Sequence, residues 1–200
     1  MGFNSTVVSF KSNVLFKNKN LLISFFSVLI GLLTGLAAYG LTITVFPEVA
    51  AEFFTMSFDI CSKTKPELFS AFILKGLPYC IIMFILGGSI FGKLCTIITV
   101  VKTMGISLVA SYLYCNLGLQ GVVYALLVFF PGKIVLIFSL LLATKSGLEM
   151  SEYIINCDKT TIIKQIKSYS IAHIVILVIS FFSWFIDFIC FVVFSGLLEQ

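Results

Sequence analysis

The chain has no arginine: its thirteen basic residues are all lysine. Arginine leads the recognition of phosphates and base edges, so its absence counts against nucleic-acid binding. Charge of either sign is scarce, at 11% of residues, whereas hydrophobic types make up 60%. So little charge cannot cover the surface of a soluble domain of this length. The one histidine is His173, and the six cysteines form neither a CxxC nor a Cys/His cluster. That excludes a recognisable zinc or dithiol centre. No nucleophile elbow, phosphate loop or HExxH is present. Glu149 and Glu152 share a helix face but belong to a polar inner segment and read as solvated. The expectation is a non-enzymatic chain with no cofactor and no metal.

What the sequence does contain is long apolar runs. About 20 mostly apolar residues cross a hydrocarbon core as helix. Runs of that length cover roughly 21–46, 68–91, 94–115, 121–143 and 170–197. Lipid offers no partners for free backbone groups, so each must be helical. The runs are continuous, which excludes the alternating segments of a β-barrel. The expected fold is all-α: one integral membrane domain over 1–200, a polytopic bundle of about five transmembrane helices. The first run is too long for a secretory core and reads as an uncleaved anchor.

Lysine placement sets orientation. Lys11, Lys17 and Lys19, then Lys93, then Lys145, Lys159, Lys164 and Lys167 fall on one side, against Lys63 and Lys65 on the other. This puts the N-terminus in the cytoplasm and the C-terminus outside a cell membrane. Two connecting segments carry helical amphipathicity. In the outer one, 47–62, Glu48, Glu52 and Asp59 share one face and Phe53, Phe54 and Phe58 another. It reads as a cover for the bundle or as a docking surface for a partner. The inner one, 145–168, gathers Lys159, Lys164 and Lys167 beside the last span, a basic patch suited to anionic membrane lipid or to a cytoplasmic partner.

Polar residues inside spans are the strongest functional pointers in a membrane chain. Asp187 is the only acid within any expected span. Left unpaired there it would cost about 2.5–3.5 kcal/mol on insertion scales. Lys133 is its expected partner and Lys102 the second choice. The pair reads as a lock between helices or as part of an ion pathway. Lys133 follows Pro131-Gly132, where proline removes a helix hydrogen bond and predicts a kink or unwinding that faces the interior. Gly31/Gly35 and Gly88/Gly92 are GxxxG spacings, which serve internal packing or a homo-oligomer. Cys61 and Cys115 both fall on the expected outer side, and the sequence leaves their pairing open.

The order of these features carries a resemblance. After the basic tail and the outer amphipathic segment come Leu86-Gly87-Gly88-Ser89-Ile90-Phe91-Gly92, then Asn116-Leu117-Gly118-Leu119-Gln120-Gly121. Phe129-Phe130-Pro131 follows, and the last helix carries Ser183-Trp184-Phe185-Ile186-Asp187. From about residue 20 to 195 the chain resembles the stage II sporulation protein M family of endospore-forming bacteria. It departs from that pattern at Gly132, Lys133 and Leu136, and it has Asp187 where the family has Glu. The resemblance implies a membrane scaffold for two peptidoglycan-degrading enzymes, an amidase and a lytic transglycosylase, which thin septal wall during engulfment. The alternative is the permease subunit of an ATP-driven transporter, suggested by the proline-interrupted fourth run with Lys133 and Asp187.

Overall fold

A computed structural model describes residues 3–45, 77–156 and 159–194, with side chains over 19–41, 77–156 and 165–194. The described residues are helical throughout, apart from one short turn at 88–93. Helix α1 is Phe3–Val45, α2 is Leu77–Gly87, α3 is Leu94–Tyr124, α4 is Phe130–Asn156 and α5 is Lys159–Phe194. A π-helical turn, Ala125–Phe129, joins α3 to α4.

Three stretches are long and apolar enough to cross a membrane: Lys19–Leu41, Leu94–Asn156 and Gln165–Phe194. The expected count of five does not follow from these. The described part of the second expected span, α2, is too short to cross. The third and fourth form one uninterrupted apolar stretch of 63 residues. That stretch nevertheless folds back on itself. Gly118 sits at φ 54°, ψ −130°, a conformation open to glycine and costly for any residue with a Cβ. Beyond it the chain reverses, and Leu113 packs with Tyr124, Ala125 and Val128. A Cβ on Gly121 would overlap the Leu113 carbonyl. Farther from the turn, the Thr99 and Thr144 hydroxyls share a hydrogen bond of 2.5 Å.

The expected separate amphipathic helix at 145–168 is also corrected. Its first half simply continues α4 to Asn156, and its last part belongs to α5. Gly147 does not end α4; a Cβ there would press on Gly87 of α2 and Cys95 of α3. Glu152 is not merely solvated: it accepts a 2.9 Å hydrogen bond from the amide of Asn20, which is buried on α1.

The polarity of the bundle is inverted relative to a soluble protein. Leu22, Phe25 and Leu33 on α1 and Ile174 and Phe182 on α5 are exposed, while Ser24, Thr99, Thr103, Ser139, Thr144, Ser180 and Ser183 are buried. Small hydroxyl residues let helices approach and hydrogen-bond across the gap, where lipid tails would leave them unsatisfied. Ser107 donates to the Leu32 carbonyl at 2.7 Å and Ser151 to that of Ile90 at 3.0 Å. Each such bond is worth about 0.6 kcal/mol in a bilayer, so the bundle is held by their number. Gly31 and Gly35 lie against Val100, Thr103, Met104 and Ser107. Gly92 lies against Gly147 and Ser151. Both GxxxG spacings therefore serve contacts within the chain.

The hairpin predicts that Thr99→Cys with Thr144→Cys, in a chain whose six native cysteines are replaced by alanine, forms a disulfide on mild oxidation. Loss of both thiols to maleimide labelling would report it. Two thiols that remain reactive would contradict the antiparallel register.

Candidate functional site

The charged centre of the bundle lies where α4 passes α5. Lys133 Nζ stands 2.5 Å from Asp187 Oδ2, with Asp187 only 4% exposed and Lys133 19%. Three local features bring them together. Pro131 stands in the first turn of α4, just after a π-turn interrupts the α-helical pattern. α4 runs through Pro131, and the strain is taken up one turn earlier by the π-turn, closed by the Phe130 N–H donating to the Ala125 carbonyl. A wider turn accommodates both the missing N–H and the bulk of the ring. Gly132 then allows contact, since a Cβ there would overlap the Asp187 carboxylate and the Ser183 carbonyl. Finally, the Ser183 hydroxyl donates to the Gly132 carbonyl at 2.7 Å. Asp187 and Ser183 are one turn apart on α5, so a single face of that helix supplies both contacts.

The other face of the ammonium meets the Phe129 ring, 5.5 Å from its centroid. Asp187 Oδ1 is buried with no hydrogen-bond partner among the described residues. The carboxylate is therefore held through one oxygen by one cation. Such an arrangement pins two helices together, and removing either partner would strand the other charge in a medium that cannot solvate it.

Lys102 is not part of this centre. Pairing of Thr99 with Thr144 sets it level with Leu141, about two helix turns from Lys133. Its ammonium lies 3.9 Å from the centroid of the Tyr79 ring, at the wall of a cavity. Of the basic patch, Lys167 is exposed on α5, while the side chains of Lys159 and Lys164 lie outside the described residues. The whole outer surface, Glu48, Glu52, Phe53, Phe54, Phe58 and Asp59, also lies outside them, as does Cys61. Cys115 is an exposed free thiol. Among the described residues no group of three or more His, Cys, Asp or Glu side chains could hold a metal ion.

Sequence reasoning passed over His173 as a site residue. It is 7% exposed, it packs on Tyr169 and Phe84 at ring-centroid distances of 4.2 and 5.3 Å, and it lines the same cavity as Lys102. The signal was there, a lone ionisable ring inside an apolar run, and it falls under the same rule as Lys133 and Asp187. No family model, curated protein or solved structure matches the chain.

Breaking the pair should be costly and removing it cheap. Lys133→Met is expected to destabilise the bundle by about 3–5 kcal/mol, and Lys133→Met with Asp187→Leu to recover most of that loss. Reversible unfolding in mixed micelles measures both. A double variant no more stable than the single one would show that the pair is not the interaction lost.

Gly132→Ala should be nearly as harmful as the single charge deletion, because its methyl group meets the carboxylate rather than open space. Wild-type stability in that variant would contradict the close approach.

Proposed function

We propose that the chain is a polytopic membrane anchor without catalytic chemistry of its own. The single observation that carries this reading is the closed Lys133–Asp187 pair, wedged at Gly132 and tied by Ser183. A static lock suits a protein that holds others in place. A working ion path needs carboxylates that exchange partners, and one acid with one cation is too few for a relay.

In this reading the apolar stretch Leu94–Asn156 crosses the bilayer twice, with Gly118 at the outer side. Lys19, Lys93, Lys145 and Lys167 all lie at the opposite end of the bundle, which supports a cytoplasmic N-terminus and an outer C-terminus. The run from 68 to Gly87 supplies a further crossing, making five. The order of motifs shared with the stage II sporulation protein M family supports the finer proposal: recruitment of an amidase and a lytic transglycosylase to the outer face for septal wall thinning and engulfment. The docking surface is the outer segment 47–62, read from its sequence pattern. The permease alternative rests on the π-turn that interrupts the helix just before Pro131.

Two measurements separate these. The membrane-embedded chain should co-purify with the amidase and the transglycosylase, and Phe53→Ala with Phe54→Ala should release both while insertion is unchanged. Undiminished co-purification would contradict that docking surface. Solute flux by the purified chain in vesicles, abolished by Asp187→Asn, would contradict the anchor itself.

A further inference from the structure

A cavity of about 270 Å³ lies between α2, α3, α4 and α5, away from the ion pair. Its floor is Met83, Leu136, Leu140, Ala143 and Ile176, all from the main core and each less than a tenth exposed. Its rim is Ile81 and Phe84 on α2 and Ile174 and Leu177 on α5, large apolar side chains exposed on the outer surface of the bundle. The α5 rim belongs to the stretch Gln165–Phe194, which is long and apolar enough to cross a membrane. The cavity therefore opens sideways, between α2 and α5, towards lipid.

Polar groups on its wall are already engaged with the protein. The Ser180 hydroxyl donates to that of Ser139 at 3.0 Å, and Ser139 donates to the Leu136 carbonyl at 2.8 Å. The Lys102 ammonium rests on the Tyr79 ring, 3.9 Å from its centroid. The His173 ring packs on Tyr169 and Phe84 and bonds the Tyr169 backbone. The surface that faces the space is almost wholly carbon. A polar head group placed there would lose its water for little in return. Hydrocarbon loses nothing by entering. A void lined by carbon stays dry, and while it is empty its walls lack the dispersion contacts that a filling group supplies. An engineered apolar cavity of about 150 Å³ holds one benzene, so a space of this size has room for roughly ten carbons. That is a segment of an acyl chain, and acyl chains are the solvent at the mouth.

We propose that the cavity takes one acyl chain of a bilayer phospholipid, in exchange with the surrounding lipid. The chain enters between α2 and α5 and lies along Leu136, Leu140 and Ile176, with its head group left at the membrane surface. None of the residues that form the lock takes part, so a failure here leaves the anchor reading untouched.

Met83 gives the test, because it is 1% exposed and meets lipid only if a chain enters. The full chain, labelled with ¹³C at its methionine methyls, is placed in phosphatidylcholine nanodiscs, and Met83 is assigned from its loss in Met83→Leu. A nuclear Overhauser effect should pass from the lipid methylenes to the Met83 methyl. It should vanish when the same lipid carries deuterated chains, and be lost in Ala143→Phe, which fills the cavity. Met150 is as deeply buried but does not line the cavity, so its methyl should receive no such transfer, and its unmoved signal in Ala143→Phe reports an intact bundle. Transfer to Met83 from water, or from neither water nor lipid, would overturn the proposal. So would transfer that survives the deuterated chains, which would mean a trapped lipophile that does not exchange with the bilayer.

Discussion

Two opposite charges buried where lipid surrounds the protein cannot be left to find partners by chance. The Lys133–Asp187 contact needs α4 and α5 close enough for a lysine to reach across, and everything at that crossing serves the approach. Gly132 removes the Cβ that would stand in the way, Ser183 donates to the Gly132 carbonyl, and a π-turn precedes Pro131 where its missing N–H would otherwise be needed. The pair adds less by its attraction than by the penalty for separating it. Alternative packings of the last helix would bury an uncompensated charge, so the contact selects one arrangement over its competitors.

The same solvent logic shapes the rest of the bundle. With lipid outside, apolar burial does not drive helices together, and close packing and cross-helix hydrogen bonds must do so. That is why glycine, serine and threonine sit at the helix contacts beside an apolar core, while many leucine, isoleucine and phenylalanine side chains face outward. The contact of Gly147 with Gly87 and Cys95, the Thr99–Thr144 bond and the Gly31/Gly35 contact with α3 are local versions of one rule. Asn20 with Glu152 extends it to the end of the bundle where the lysines collect.

Some of this could be read from the sequence for specific physical reasons. Charges are so few within the apolar runs that Asp187 had only Lys75, Lys102 and Lys133 to meet. The gap between the runs 94–115 and 121–143 is where the chain reverses, and the structure places the reversal at Gly118. The length of α4 could not be read, since Lys145-Ser146-Gly147 looks like a helix end. Only the neighbouring helices reveal that Gly147 is small for packing, not for turning. Glu152 looked solvated because its partner, Asn20, lies 132 positions away. Pro131 signalled a departure from regular α-helix, and the structure has a π-turn immediately upstream of it, with α4 continuing past the ring. His173 stayed hidden because only the packing shows that a lone ring in an apolar run lines a cavity.

The central claim is that Asp187 is a fixed, ionised partner of Lys133. Infrared difference spectra of the chain in lipid, against Asp187→Asn, test it most directly. The account predicts that the substitution removes carboxylate stretching bands and no protonated carbonyl band, with the same result on either side of neutrality. A protonated carboxyl band assigned to Asp187, or one that appears and disappears as external pH is varied mildly, would contradict the lock and point to a group that exchanges protons.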